Sequence, residues 1–341
     1  MKINKTAEEL IQKLMDKHPH TLLTIGILKK GETSFKLFDA SGEIPYESHL
    51  YEMGSIGKTF TTSLLAKYVA EGKINLEDSV AKYIPELDGD EKYYPTLKRL
   101  ATHTAGYPTR YPIDDWSDMA KLIKIIMTLP FKPQSASEFP LNKEKLIRLT
   151  KQRKLKDKDY GWMYANFGIA LIGLAVSNVA GMSFSKLLAE YFREELKLES
   201  SFVGVGHKRL LTGFDKKNRD IGNYLPDEEE WMIPPGYGMI SNAEDLLEYA
   251  KMNIDGCPSY LGLCHENYAK GDEDYKMDMG LGWWLNSREK LFWHGGNTDG
   301  FSTALMFSKE KESAIVILMN VADYKERELI TNAVWAGNWE N

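Results

Sequence analysis

The segment Glu52-Met53-Gly54-Ser55-Ile56-Gly57-Lys58-Thr59 follows a short β-like run at residues 49–53 and opens an apolar helix. It contains the pattern Ser-x-x-Lys, whose helical spacing places the Lys58 amine on the same face as the Ser55 hydroxyl. Free N–H groups and the dipole at a helix start favour a serine alkoxide. The segment therefore predicts that Ser55 is a nucleophile and that Lys58 helps to activate it.

Spacing alone does not select this serine, because Ser-x-x-Lys also starts at Ser79, Ser183, Ser287 and Ser308. None of these four directly follows a strand and opens an apolar helix. Ser79 and Ser183 are predicted to start or cap helices, and the other two serines to lie in charged turns. Position in the chain therefore favours Ser55.

Two other motifs fit the same segment poorly. A phosphate-binding loop ending in Gly57-Lys58-Thr59 would need glycine at position 52, where Glu52 would instead repel phosphate. A Gly-x-Ser-x-Gly nucleophile elbow would need glycine at position 53, which is Met53. Neither an NTPase nor an elbow-type hydrolase is predicted.

The periodicity on either side of the segment predicts an α+β fold. Before it we expect a helix over residues 6–17, with Thr6 and Glu9 as a capping box, and strands at 22–28, 34–38 and 49–53. After the Ser55 helix, which Gly72 is placed to end, we expect helices at 97–103, 116–127, 143–151, 165–179, 184–196, 243–253 and 258–269. Strands then return at 281–285, 291–294, 302–307 and 314–319, before a closing helix at 325–336.

The order of these elements predicts one antiparallel sheet flanked by the N- and C-terminal helices, with a mostly helical lobe inserted between its halves. Residues 1–75 and 276–341 are expected to form the α/β lobe, and residues 76–275 the helical lobe. The active site should lie in the cleft between them.

Composition narrows the function. The 341 residues carry a formal net charge of -6, which argues against a nucleic-acid binder. The lysine-rich stretch 151–158 is interleaved with aspartates and predicts a solvated loop. Cys257, Cys264 and His265 match no common zinc pattern, so we expect free thiols, no metal site and no cofactor.

We expect a cytoplasmic protein unless a leader has been removed. The N-terminal residues include charges but no apolar core or cleavage site of a secretory signal. The longest apolar run, residues 167–176, is far shorter than the roughly 20 residues of a membrane span.

A second candidate motif is Tyr164-Ala165-Asn166, which begins an apolar helix. A phenol beside a lysine ammonium can have a lowered pKa and carry protons, while an amide can orient substrate. The alternative is structural, with Asn166 capping the helix and Tyr164 in the core.

A third motif is His294-Gly295-Gly296-Asn297 at the end of a predicted strand. Its glycines would let a ligand approach the backbone, and the N–H of Asn297 could pair with that of Ser55 as an oxyanion hole. A simple hairpin turn is the alternative explanation.

Together these motifs resemble the serine β-lactamase and penicillin-binding-protein superfamily, on its class C β-lactamase, D-Ala-D-Ala carboxypeptidase and esterase branch. The nucleophile motif, Tyr-x-Asn element and His-x-Gly strand element occur in the family order. Further stretches that look like family signatures are residues 72–78, 100–106 and 238–246. Within them we expect His103 to be buried and hydrogen-bonded, and Ser241 with Glu244 to form a capping box.

The resemblance implies that Ser55 attacks a carbonyl, that Lys58 and Tyr164 share the proton transfers, and that Asn166 positions the substrate. His294 stands where class C β-lactamases have a lysine for a carboxylate, so carboxylate recognition is in doubt. We therefore expect an esterase, amidase or D-amino-acid peptidase acting on a small molecule. A true β-lactamase or D-Ala-D-Ala carboxypeptidase, and a catalytically idle ligand-binding relative, are the alternatives. The oligomeric state stays open.

Overall fold

The computed structural model describes residues 3–89, 91–109, 141–204, 206–226, 230–273 and 276–338. Within these ranges the α-helices are α1 Lys5–Lys17, α2 Gly57–Ala70, α3 Leu97–Ala101, α4 Lys143–Gln152, α5 Asn166–Ala180, α6 Phe184–Glu190, α7 Ala243–Asp255 and α8 Tyr324–Gly337. The helix predicted at residues 116–127 lies outside the described residues.

The strands are β1 Leu23–Lys29, β2 Glu32–Asp39, β3 Gly42–Ile44, β4 Tyr51–Glu52, β5 Phe202–Val203, β6 Gly213–Phe214, β7 Asp220–Gly222, β8 Met239–Ser241, β9 Ala269–Lys270, β10 Asp278–Met279, β11 Trp284–Asn286, β12 Leu291–Asn297, β13 Ser302–Ser308 and β14 Ser313–Met319. Nine of them form one sheet in the order β3-β2-β1-β14-β13-β12-β11-β10-β9. Each neighbouring pair is antiparallel, and β1 pairs with β14 from Leu23↔Met319 to Lys29↔Ser313. The predicted α+β fold, with a sheet built from both ends of the chain, is confirmed.

The central strands of this sheet are covered on both faces. Every residue of β13 and β14 is buried. One face packs against α1 and α8 through a cluster that includes Ile11, Ile25 and Val334, and α7 contacts β1, β13 and β14 on the other face. Burial on both faces is why residues 304–307 of β13 and 314–319 of β14 are apolar at every position rather than at alternate ones.

Helix α2 carries the nucleophile motif into the centre of the protein. Its residues are buried on nearly all sides, and it packs against α5 and a 3-10 helix at Ser259–His265. A helix surrounded by protein needs no polar face, which explains its weak amphipathic pattern. The residues just before it are thereby held rigidly.

Several local predictions are wrong in detail. Asn4, not Thr6, caps α1, because its Oδ1 accepts a hydrogen bond from the Ala7 N–H at 2.8 Å. Asn242, not Ser241, caps α7, while the Ser241 hydroxyl bonds to that of Ser201. These polar residues adjoin one another in sequence, so pattern alone does not identify the one with a β-region backbone at the helix start.

The helix predicted at 258–269 is the 3-10 segment Ser259–His265, and the helix predicted at 184–196 changes to a π-helical turn at Tyr191–Glu195. Both cysteines are free thiols. In the part of the chain that the structure describes, no single helix is long and apolar enough to cross a membrane. Helices at Asn166–Ala180 and Phe184–Glu195 meet the length and composition criteria only as a pair, bent by 76°.

The division into two lobes stays a prediction. Helix α7 belongs to the predicted helical lobe by residue number, yet it packs directly on the sheet. Helix α2 belongs to the predicted α/β lobe, yet it contacts α5.

Candidate active site

Ser55 lies in a 3-10 turn, Gly54–Ile56, between β4 and α2. The sequence placed the start of the α-helix at Ser55, whereas α2 begins two residues later at Gly57. Gly54 has φ +54, and a Cβ at this position would come within 2.7 Å of the Asn297 backbone N. Glycine therefore allows the serine turn to lie directly against β12.

The side chain of Lys58 is completely buried and reaches Ser55. Its Nζ lies 2.8 Å from Ser55 Oγ and 2.8 Å from the carbonyl oxygen of Pro235. Burial strongly lowers the pKa of the Lys58 amine, because the ammonium has lost its hydration. The structure thus brings the first two predicted site residues into contact and favours the neutral amine.

Tyr164 is the third group in this cluster. The Lys58 Nζ lies 4.9 Å from the centre of its ring. Burial raises the pKa of Tyr164 above its ordinary value, and a smaller influence of the Ser55 side chain acts in the opposite direction. The sequence allowed a lowered pKa for a phenol beside a lysine, but in the structure loss of solvent has the larger influence and acts in the opposite direction.

Asn166 is the first residue of α5, not its cap. The cap position is Ala165, which has no side chain able to accept a hydrogen bond. The Oδ1 of Asn166 is buried and has no hydrogen-bond partner among the described residues. A buried carbonyl oxygen without a donor is available to a ligand, so the capping alternative is not supported.

His294 lies in β12 and is 2% exposed. Its Nδ1 is 2.8 Å from the Gly295 carbonyl oxygen, so Nδ1 carries the proton and donates it. Burial, followed by the nearby Lys58, lowers the pKa of His294 to about 3. The imidazole is therefore neutral at physiological pH, with an unprotonated Nε2 that has no partner among the described residues.

The glycines after His294 are required by the protein itself. A Cβ on Gly295 would come within 2.8 Å of the Arg327 guanidinium, and one on Gly296 within 1.9 Å of the Met53 carbonyl oxygen. The sequence attributed both glycines to the approach of a ligand. Instead, they let α8 and the serine turn pack against opposite faces of the strand.

One edge of β12 is left without a strand partner. Strand β11 pairs with β12 only from Trp284↔Trp293 to Asn286↔Leu291, and no pairing on that side is described for residues 294–297. Such an edge can hydrogen-bond an extended substrate segment. Asn297, at its end, is exposed.

Two parts of the site were not predicted from the sequence. The first is the turn at residues 234–237, where Gly236, with φ +112, packs against Gly54 and the Pro235 carbonyl holds Lys58. The run Pro234-Pro235-Gly236 is a turn signal that could have identified it.

The second is an aromatic cluster beside Tyr164. Trp162 and Trp284 have ring centroids 4.8 Å apart, and Trp284 stacks on Trp293 at 5.8 Å. Tyr164 packs against the same cluster. No periodicity in the sequence connects these tryptophans, because they come from separate elements.

Comparisons with known proteins identify the family of this chain. A profile of the Beta-lactamase family matches residues 7–336. A protein of Providencia stuartii named β-lactamase is 25% identical over 256 residues, which are 72% of this chain and 59% of that protein.

Solved structures show the same fold over almost the whole chain. The β-lactamase/D-alanine carboxypeptidase of Pseudomonas syringae has a TM-score of 0.77 at 20% identity, covering 97% of this chain and 98% of that one. A D-stereospecific amidohydrolase of a Streptomyces species has a TM-score of 0.77 at 18% identity, with the same coverage of 97% and 98%.

Proposed function

This chain belongs to the Beta-lactamase family, and we propose that it is a serine hydrolase that cleaves an uncharged ester through an acyl-enzyme on Ser55. The observation that carries the proposal is the 2.8 Å contact between Ser55 Oγ and the buried Lys58 Nζ. A serine hydroxyl is a weak nucleophile until a neighbouring base accepts its proton.

Lys58 is the base in this proposal, and Tyr164 is the acid. The neutral Lys58 amine takes the Ser55 proton as Oγ attacks the substrate carbonyl, which opens to a tetrahedral oxyanion. The Tyr164 phenol then protonates the leaving oxygen as the C–O bond breaks, and Lys58 returns the proton to the phenolate. The opposite pKa shifts of the two groups support these roles.

Two backbone N–H groups, those of Ser55 and Asn297, form the proposed oxyanion hole. The close packing of Gly54 on the Asn297 N supports this pairing. Loss of one such donor in other hydrolases costs about 3 to 4 kcal/mol of transition-state stabilisation. Asn166, with its unpartnered Oδ1, orients the substrate, and water then cleaves the acyl ester.

The neutral His294 supports an uncharged substrate. A lysine at this strand position would attract a carboxylate, whereas an imidazole with a pKa of about 3 carries no charge to do so. The neighbouring aromatic cluster of Trp162, Trp284 and Trp293 favours apolar groups on the substrate.

Intact-mass measurement after treatment with a fluorophosphonate probe tests the core of the proposal. We expect one adduct on the wild type and none on Ser55→Ala. Ser183→Ala is the matched control, because Ser183 also begins a Ser-x-x-Lys pattern but caps α6. No adduct on the wild type, or an adduct that survives Ser55→Ala, would disprove the role of Ser55.

A second candidate function is β-lactam or D-alanyl peptide hydrolysis, which the names of the similar proteins favour. Turnover of p-nitrophenyl butyrate, a D-alanine anilide and nitrocefin should be compared on one preparation. We expect the ester to give the highest kcat/KM. Faster nitrocefin turnover would favour the second candidate, and binding without turnover of any of the three would favour a ligand-binding relative.

A further inference from the structure

His103 holds the chain on both sides of Tyr164. The Met163 N–H donates a hydrogen bond to the His103 carbonyl oxygen at 2.8 Å, and the Ala165 N–H donates one to His103 Nδ1 at 3.2 Å. The two amides that flank Tyr164 in sequence are therefore tied to a single residue.

The backbone of His103 is itself in an uncommon conformation. It follows α3 with φ +60, in the left-handed region, and the residue is 1% exposed. Among residues other than glycine, asparagine, aspartate and histidine enter this region most readily. The conformation lets the carbonyl and the ring of one residue face the same short segment.

The hydrogen bonds also define the protonation state of the ring. Nδ1 accepts from Ala165, so it carries no proton. Burial lowers the pKa of His103 well below its ordinary value. The ring is therefore neutral, with its proton on Nε2, and it packs against Tyr164 with ring centroids 4.7 Å apart.

We propose that His103 is a positioning residue that holds the Tyr164 phenol in reach of Ser55 and the leaving group. This inference rests on the proposed function, in which Tyr164 protonates the leaving oxygen. An error of about 1 Å in the position of a catalytic group can cost on the order of 100-fold in rate. A histidine that only filled the core would affect stability and leave the proton transfer unchanged.

The test compares two substitutions of opposite character. His103→Asn keeps an acceptor near the Nδ1 position and tolerates the positive φ, whereas His103→Leu keeps apolar volume but removes the acceptor. Each variant is assayed with the p-nitrophenyl and ethyl esters of butyrate. The ethyl ester needs its leaving oxygen protonated, while the p-nitrophenyl ester depends on this much less.

We expect His103→Leu to lower kcat/KM on the order of 100-fold for the ethyl ester and about 10-fold for the p-nitrophenyl ester. His103→Asn should recover most of both losses. His265→Leu is the control, because His265 also makes a side-chain hydrogen bond, to Asn253 at 3.0 Å, but belongs to the 3-10 helix behind α2. It should change stability without changing the ratio of the two esters.

A double-mutant cycle with Tyr164→Phe identifies the route of the effect. If His103 acts through Tyr164, adding His103→Leu to Tyr164→Phe should cost less than about twofold. Three outcomes would overturn the inference: losses of kcat/KM that are additive in the cycle, equal losses of kcat/KM for the two esters in His103→Leu, or a His103→Asn variant that recovers no activity. Should the leucine variant not fold, His103→Gln replaces it, because its longer side chain moves the amide away from the Nδ1 position.

The same series separates this inference from the proposed function. If Ser55 is not labelled by the fluorophosphonate in the wild type, the proposed function fails and this inference fails with it. If Ser55 is labelled and Tyr164→Phe is impaired, but the cycle is additive, only the role of His103 is wrong.

Discussion

Lys58 and Tyr164 differ in a property that their sequence spacing does not reveal. Lys58 is completely buried and Tyr164 is half-buried, but loss of solvent lowers the pKa of an amine and raises that of a phenol. The same surroundings therefore produce a neutral base and a neutral acid at one pH. Residue types alone left the choice of base open, because the choice depends on how much solvent each group has lost.

This difference predicts the pH dependence of acylation. Since Lys58 must be neutral, the rate should fall as the pH drops through its pKa, which lies well below the roughly 10.4 of an ordinary lysine. The raised pKa of Tyr164 keeps the phenol protonated, so no loss is expected until the pH exceeds about 10. Stopped-flow acylation by p-nitrophenyl butyrate between pH 5 and 10 should therefore show an acid limb from Lys58 and no loss of rate at the alkaline end of this range.

Removal of the Lys58 amine tests the same role of Lys58 in acylation. Lys58→Ala should lower the acylation rate by about 100- to 10,000-fold, the usual contribution of a general base. Lys82→Ala is the control, because Lys82 completes another Ser-x-x-Lys but is exposed and paired with Asp78. Two results would contradict the role of Lys58. One is a wild-type acylation rate that still increases with pH near pH 10. The other is an equal loss of acylation rate in Lys58→Ala and Lys82→Ala.

Among the contacts between elements, the one between β12 and the serine turn fixes the position of Ser55 most directly. Gly54, Gly236 and Gly296 all lie where the backbones of the β12 strand, the serine turn and the 234–237 turn approach closely. The sequence indicated that glycines matter here but attributed those of β12 to the ligand. Local pattern cannot reveal which distant backbone stands opposite a glycine, since the partner of Gly296 is Met53.

We therefore expect Gly296→Ala to abolish labelling of Ser55 and to destabilise the protein. The new methyl group would lie 1.9 Å from the Met53 oxygen and 2.2 Å from Thr303 Oγ1, so β12 or the serine turn must move. Overpacking of this kind typically lowers the free energy of unfolding by about 1 to 3 kcal/mol. Thermal unfolding and fluorophosphonate labelling of the folded protein measure the two effects.

Gly262→Ala is the control for that substitution. Gly262 lies in the 3-10 helix Ser259–His265, and nothing stands within 4 Å of the position its Cβ would take. This variant should label normally. Normal labelling of Gly296→Ala would mean that the contact does not position Ser55.

At the scale of the whole molecule, the strands that share the main sheet were more predictable than all the helices that cover it. Apolar runs at both ends of the sequence predicted that β1 and β2 join β12 to β14 in one sheet, as they do. Helix α7 was assigned to the other lobe because its residues are distant in sequence from those strands. Its packing on β1 and β14 depends on long-range contacts that no local period encodes.

Glu52 shows how such long-range contacts change the chemistry of a residue. In sequence it served only to exclude a phosphate-binding loop. In the structure it is 3% exposed in β4, and its Oε1 accepts a hydrogen bond from the Tyr224 N–H at 2.7 Å. The side chains of Thr298 and Asn223 act to lower the pKa of its carboxyl, and the charge of Asp299 acts to raise it.

Burial is the largest influence on this carboxyl and raises the pKa of Glu52 to about 7, despite the hydrogen bonds that lower it. The folded state therefore binds a proton more tightly than the unfolded chain, whose glutamate titrates near 4.3. Stability from this group is complete below that value and is lost as the pH rises through about 7.

Glu52→Gln cannot titrate, so the free energy of unfolding of this variant should not share that loss. Relative to the wild type, its free energy of unfolding should increase by about 2 to 3 kcal/mol between pH 4.5 and pH 8.5, which urea unfolding at several pH values measures.

Glu71→Gln is the control. Lys67 and Lys73 lower the pKa of the exposed Glu71, so its stabilising effect is lost only as the pH falls below the ordinary glutamate range. Between pH 5.5 and 8.5 the free energy of unfolding of Glu71→Gln should differ from that of the wild type by a constant amount. A constant difference for Glu52→Gln as well would mean that folding does not raise the pKa of Glu52, so that hydrogen bonding of its carboxylate, including the bond from the Tyr224 N–H, offsets the effect of burial.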